Sequence, residues 1–339
     1  MRGQGTKSKS TKGNESGPMQ VVILAAGRGH RLGRLAERYS KPMLPIMGEP
    51  MIGRILRTFS MLASPEVIVV GSPGDDALGA YLSSLDGKGP AIRLLHQKEP
   101  LGTANALQVA ADYVGDLFLV SACDHMVEAD ELRRFAEAAM EMDNCDALLS
   151  IMRMDRNLIQ ESAAVSLDDQ GEVRQVVEKP KPDEAASRLA ALPLYAFRRS
   201  ILEHMGALDP SPRGEYEIPA GIQRMIDGGG RVRAFMWNTR MTVNTVAEYL
   251  DVHLRLLRRS GPWVSAEAII GREVIFQAPV GVEIEARLGD GSQIGPMAYV
   301  CRRARIGAGA QIVRSVVMPN AEVRPGARIV DQVVLESAG

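Results

Sequence analysis

Residues 24–33 read LAAGRGHRLG and directly follow an apolar run, VVIL, at 21–24. A glycine-rich turn between a strand and a helix presents backbone N–H groups to an anion, and a helix N-terminus adds favourable dipole charge. Such a turn serves either as a plain structural device or as a seat for phosphate. Two common phosphate loops are excluded by spelling. No Gly-Lys-Ser/Thr closes the run, and the dinucleotide pattern requires glycine where Leu32 stands. The next strand-like run ends in Gly71-Ser72-Pro73, without an acid for a ribose. A carboxylate, Asp124, falls just past the run LFLV at 117–120, where open α/β sheets bind their ligands, although an aspartate there also suits a simple turn cap. No cluster of His and Cys points to zinc.

The string L-A-A-G-x-G-x-R-L, followed by Lys41-Pro42, resembles the sugar-1-phosphate nucleotidyltransferases. The resemblance implies that Leu24, Ala26, Gly27 and Gly29 lie along the nucleotide, that Arg31 grips the β and γ phosphates, and that Lys41 meets the phosphate under attack. His30 stands where Thr or Ser is usual. QKEPLGTANAL at 97–107 matches the segment that packs on the base, which implies Gln97, Leu101, Gly102 and Thr103. Asp124 matches the family's magnesium-binding aspartate, with Cys123 in place of the usual glycine. The stretch WNTRMTVNTVAEYL at 237–250 is similar to the one supplying a second metal ligand, Asn244, with Thr242 in the alternative register. Magnesium prefers hard oxygens and keeps several waters, so one carboxylate, one amide and the substrate phosphates suffice. VVEKP at 176–180 resembles the family's Glu-Lys-Pro, which implies Lys179 on the phosphate of the acceptor and Glu178 on sugar hydroxyls.

The acceptor side departs from the family. Where Tyr-Gly and Asn-x-Gly-x-Tyr are common, this chain has Ser162-Ala163-Ala164 and Ala191-Leu192-Pro193-Leu194-Tyr195, which keeps only the tyrosine. Loss of an Asn and two glycines removes hydrogen bonds and close backbone approach. A polyol phosphate therefore stands beside sugar-1-phosphate as acceptor, and Asp124-His125 with GEYEIP at 214–219 weakly resembles enzymes that act on such substrates. His125 is also read as a hydrogen-bonded structural histidine. Two rivals differ in class. One is a silent regulatory subunit that binds a nucleotide sugar; the other is a hexapeptide-repeat acyltransferase, disfavoured because no histidine follows His253 to act as base.

These residues need a scaffold, and the apolar patterning supplies one. Runs at 21–24, 67–70, 117–120 and 147–152 read as buried strands, and they alternate with helix-spaced stretches at 51–62, 103–114 and 130–142. That alternation predicts an α/β fold with a Rossmann-like, mainly parallel sheet covered on both faces. Thr245 and Glu248 form a capping box that opens a closing helix at 246–259. From Val264 an apolar residue recurs every six positions through Met318, slips by one, and resumes at Val323, Ile329 and Leu335. A six-residue period with small residues between suits a triangular solenoid, and it resembles the left-handed parallel β-helix of hexapeptide-repeat proteins. The expected organisation is a disordered tail at 1–18, a nucleotidyltransferase domain at 19–260 and a small β-helix domain at 261–339.

Composition sets the outer limits. The chain has 339 residues, 45% of them hydrophobic, enough for real cores. Forty Lys and Arg against 41 Asp and Glu leave a net charge of -1, and aromatics are 4%, which disfavours nucleic acid as a partner. No run is long enough to span a membrane. Cys123, Cys145 and Cys301 are odd in number and far apart, which fits the reducing cytoplasm. The exposed flat sides and open end of a β-helix suggest a homo-oligomer.

Overall fold

A computed structural model describes residues 19–62, 66–181 and 187–336. The tail expected at 1–18 lies outside them. The first half of the chain alternates strand and helix: β1 (Gln20–Leu24), α1 (Arg34–Arg38), the short pair β2 (Pro45–Ile46) and β3 (Glu49–Pro50), α2 (Met51–Phe59), β4 (Glu66–Gly71), α3 (Asp76–Ser83), β5 (Ala91–His96), α4 (Thr103–Val109), β6 (Leu117–Ala122) and α5 (Ala129–Met140). There follow β7 (Ala147–Arg153), α6 (Arg156–Ile159), β8 (Ala163–Leu167), β9 (Val173–Glu178), β10 (Leu189–Arg198), α7 (Ile201–Gly206), α8 (Ile218–Asp227), β11 (Val232–Met236) and α9 (Val246–Ser260). The main sheet runs β11-β7-β10-β6-β1-β4-β5, with β8 and β9 extending from β10.

All four strands expected from the apolar runs are present, and β1, β4, β5 and β6 pair in parallel. Residues of β1, β4 and β6 are buried without alternation because both faces are covered, whereas the edge strand β5 is half-buried to exposed. Val21 and Ile23 face one apolar layer while Val22 and Leu24 face the other, as the two-residue side-chain period requires. The antiparallel part of the sheet is built on β10, which runs antiparallel between β6 and β7, carries a bulge at residues 191–195 and pairs antiparallel with β8, as β8 does with β9. The helical stretches are shorter than their patterns: α2 and α4 each give way to a 3-10 turn, at Ser60–Leu62 and Ala111–Tyr113.

After Gly261, thirteen strands of two or three residues stack among the described residues as three parallel columns, the arrangement of a left-handed β-helix. Val264, Val282, Val300, Val317 and Val334 lie in register, as do Ile270, Leu288, Ile306 and Val323, and Phe276, Ile294, Ile312 and Ile329. The expected slip in phase therefore falls before Met318, between Ile312 and Val317, and a second falls between Ile329 and Val334: Val317 and Val334 are the rungs, in place of the expected Met318 and Leu335. Gly307 shows why corners must be small, since an added Cβ would lie 2.3 Å from Pro325 N in the next coil. No described helix is long and apolar enough to cross a membrane.

The β-helix core is continuous with one face of the main sheet. Buried Tyr249, Val252 and Leu257 of α9 belong to the same apolar cluster as Val280, Tyr299 and Met318. At its N-terminal end the solenoid is open: the first coil has none beneath it, so Val264, Ile270 and Phe276 stay exposed.

Candidate functional site

β1 and β6 run in parallel, so their carboxyl ends open at the same edge, and Cys123 N donates to Leu24 O to hold the two exits together (3.0 Å). A cleft of about 430 Å³ lies there, lined by Leu24, Ala26, Gly27, Arg28, His30, Lys41, Gln97, Pro100, Gly102, Thr103 and Asp124 among others. A second lobe of about 280 Å³ holds Arg31, Glu161, Glu178, Lys179, Tyr195, Arg240 and Asn244. Thr103, Ala122, Asp124 and Glu215 line both, so the lobes meet at Asp124.

The glycine-rich turn takes the left-handed backbone at Gly29 (φ 66°) and passes into a 3-10 turn, His30–Leu32, then the five-residue α1. The dipole expected from a following helix is therefore small, and cations carry the charge instead. Lys41 is the central one. Its Nζ lies 2.5 Å from Asp124 Oδ2 and 2.8 Å from Asn244 Oδ1; the Lys41 and Asp124 side chains are nearly buried and Asn244 is half-buried. Burial opposes ionisation of Asp124, but the Lys41 ammonium outweighs it and holds the carboxyl below its usual range.

Asn244 is brought here by backbone pairing. Met126 N donates to Met241 O (2.9 Å) and Val243 N to Asp124 O (3.0 Å), which docks the strand of residues 241–243 on the Asp124 turn. The glutamate of the expected capping box has a further task. Thr245 caps Glu248 N as anticipated (3.2 Å), but the Glu248 carboxylate reaches Asn244 N (2.7 Å), Thr242 Oγ1 (3.3 Å) and Arg240 (2.9 Å). Thr242 is thereby turned to Glu248 while Asn244 faces Lys41.

Asp124 Oδ1 is buried with no hydrogen-bond partner among the described residues. That orphaned oxygen, with the Asn244 amide oxygen that shares Lys41 Nζ with the other carboxylate oxygen, fits a hard divalent cation that takes the rest of its shell from water and phosphate. No group of three or more His, Cys, Asp and Glu suited to a metal occurs among the described residues. Cys123, buried next to this carboxylate, has its thiol pushed up to about 12 by desolvation and by Asp124.

The base-side block is tightly woven. Gln97 is buried, and its amide donates to Gly102 O and Asn105 Oδ1, both at 2.9 Å. Gly102 has φ 99°, and a Cβ there would lie 2.4 Å from Tyr216 O. Leu101 does not line the lobe; its carbonyl accepts from Tyr216 N (2.7 Å), and Thr103 Oγ1 accepts from Ile218 N (3.0 Å). Residues 214–219 thus wall the cleft, with Glu215 facing both lobes.

On the acceptor side, Lys179 sits at φ 44°, with Nζ 3.9 Å from Glu178 Oε1. Burial, then the neighbouring Glu217 carboxylate, push the Glu178 carboxyl up to about 7, against Lys179 and Arg213. Tyr195 is buried and stacks on Phe197, and burial raises its phenol. Arg31 stands apart from the expectation: it pairs with Glu161 at 2.8 Å across the acceptor lobe, while Arg28 and His30 face the nucleotide lobe. Arg213, paired to Glu217 at 2.5 Å, and Arg240 were not marked by the sequence; their only signal was charge near GEYEIP and WNTR. His125 is buried and kept neutral by desolvation, its pKa pulled down to about 4, but neither ring nitrogen has a hydrogen-bond partner among the described residues, contrary to the hydrogen-bonded role expected.

Residues 20–259 match the family model described as nucleotidyl transferase. The chain is 30% identical over 220 residues to UTP--glucose-1-phosphate uridylyltransferase AglF of Haloferax volcanii, covering 64% of this chain and 87% of that protein. It is 28% identical over 312 residues to a glucose-1-phosphate thymidylyltransferase of Streptomyces griseus, covering 89% and 81%. In fold, it is similar to UDP-glucose pyrophosphorylase solved with UDP-glucose, with TM-score 0.64 and 18% identity over 71% of this chain and 99% of that one. A match over most of the chain, on the elements that build this cleft, makes the protein a member of the nucleotidyl transferase family.

Proposed function

We propose that the protein transfers a nucleotidyl group from a nucleoside triphosphate to a sugar-1-phosphate and releases pyrophosphate. One observation carries this reading: Lys41, Asp124 and Asn244 converge where the two lobes meet. A triphosphate in the larger lobe would present its α-phosphate there, with the acceptor phosphate arriving beside Lys179. An acceptor oxygen attacks the α-phosphorus, the bond to the β-phosphate breaks, and no protein nucleophile is needed. Positioning and charge neutralisation do the catalysis.

Bound magnesium would neutralise charge on the α-phosphate and leaving group, and Asp124 and Asn244 are the residues that would hold it. Lys41 would meet the α-phosphate, Gln97 and Gly102 the base, and Glu178 the acceptor hydroxyls. Arg31 would leave Glu161 for the pyrophosphate. The uridylyl and thymidylyl relatives make UTP and dTTP the first donors to test. The acceptor lobe, walled by Ala163, Ala191, Leu192 and Pro193, offers few hydrogen-bonding partners on that side, which keeps polyol phosphates beside glucose-1-phosphate as candidates.

The same reading takes the chain as two units joined near Gly261, as cytoplasmic, and as a homo-oligomer. Three buried free cysteines and the exposed first coil of the β-helix support the last two. The test is pyrophosphate release with each of five triphosphates against sugar and polyol phosphates, with and without magnesium. Tight binding of a nucleotide sugar with no turnover for any pair would instead favour a silent sensor.

A further inference from the structure

The segment just after Lys41 is gripped from two directions. β2 and β3 form a hairpin in which Pro45 pairs with Pro50 and Ile46 with Glu49. Its two-residue turn, Met47-Gly48, has φ values of 49° and 81°, both positive as a primed hairpin turn demands. Met47 pays for that conformation sterically, so something must hold it. Met47 N donates to His253 Nε2 at 3.3 Å, Arg54 Nε donates to Ile46 O at 2.8 Å, and the Tyr249 hydroxyl donates to Pro45 O. Behind the turn stands the β-helix: a Cβ on Gly48 would lie 3.4 Å from Glu283 Oε1.

His253 is built for one tautomer. Its Nδ1 lies 3.1 Å from Tyr249 O, which can only accept, and its Nε2 faces an N–H that can only donate. The proton is therefore on Nδ1, and burial keeps the ring neutral, with its pKa lowered to about 4. The ring packs 4.4 Å from Tyr249 and 5.7 Å from Tyr299 between centroids. Tyr299 in turn donates to Glu283 at 2.7 Å, and the other Glu283 oxygen accepts from Arg302 N at 2.9 Å.

We propose that His253, backed by Tyr299 and Glu283 of the β-helix, is a positioning residue that fixes Lys41 through the tip of the β2–β3 hairpin. The β-helix then contributes to the reaction without touching substrate. The inference rests on the reading of Lys41 as a phosphate contact. A shift of the hairpin moves Lys41 relative to Asp124, and reacting groups tolerate little misplacement.

The test is a double-mutant cycle on binding of α,β-methylene UTP and α,β-methylene dTTP in magnesium buffer. His253→Leu is expected to weaken binding about tenfold when Lys41 is present and less than about twofold in a Lys41→Met background, since residues that act through one another are not additive. His253→Gln, which keeps an acceptor toward Met47 N, should recover most of the loss. Equal losses in both backgrounds, or a glutamine no better than leucine, overturn the proposal. If Lys41→Met alone leaves binding unchanged, the phosphate reading of Lys41 fails first and takes the proposal with it. Should His253→Leu prove insoluble, Tyr299→Phe goes through the same cycle, with the same non-additivity expected and the same additivity overturning it.

Discussion

Asp124 and Lys41 form a buried pair, and removing one partner of such a pair leaves the other uncompensated. Asp124→Ala should abolish pyrophosphate release and also lower stability by about 3 kcal/mol, with Lys41→Met in the same chain recovering much of the stability but none of the activity. Denaturant titration separates the two effects. Because the folded carboxyl titrates below its unfolded value, the pair's stabilisation is complete above the unfolded pKa and fades as pH falls through the folded one. Glu178 has the opposite sign. Its carboxyl is raised to about 7, so the protonated form is the one folding favours, and that contribution is lost as pH rises through about 7. If Glu178 holds acceptor hydroxyls, KM for the acceptor should show an inflection near neutral pH that Glu178→Gln removes; an unchanged profile would remove it from the acceptor site. Glu217, Glu215, Lys179 and Arg213 surround it and set the curve. Lys41, Asp124 and Asn244 were legible because a motif marks each in place: the turn after α1, the exit of β6 and the segment just before α9. Arg213 was not, and neither was the pairing of Arg31 with Glu161, because these partners, like Glu217 and Glu178 for Arg213, are chosen by how distant loops fold together.

Elements were read best where one pattern excludes others. Four consecutive buried residues between turns left little alternative to a central strand, and Thr245 announced α9 by its cap. β10 was missed as an antiparallel insertion because Pro193 and the bulge around it break the alternation that would mark a strand. The solenoid's first slip was placed one rung too late because Val316, Val317 and Met318 are all apolar and all buried, so composition cannot say which one is the rung. Where an element depends on missing atoms, the consequence is sharper. Gly102 begins α4 at a positive φ with no room for a Cβ beside Tyr216. Gly102→Ala should cost at least about 2 kcal/mol and push residues 215–217 away from the base-side wall, so that KM for the triphosphate rises more than kcat falls. A variant with parental melting temperature and parental KM would show that this close approach is not needed.

At the scale of the molecule, the sheet and the solenoid share one apolar cluster. Val252 and Leu257 of α9 are fully buried within an apolar cluster that includes β-helix side chains, and Tyr249 donates to Pro45 O while touching Met318. Ending the chain at Ser260 would expose these residues together. Each buried aliphatic side chain returned to water costs about 1.5–3 kcal/mol, and the whole stability of a domain is about 5–15 kcal/mol. A few such residues, with the large ring of Tyr249 among them, are enough to spend that margin. The shortened chain should therefore fail to fold or aggregate, and the intact protein should melt in one cooperative calorimetric transition. If the β-helix were only an appended assembly module, the shortened chain would keep its near-ultraviolet dichroism, resist proteolysis and turn over substrate. It would also leave the Met47-Gly48 turn without Glu283 and Tyr299 behind it, so a folded and fully active shortened chain would remove both the shared core and the positioning of Lys41 from the account.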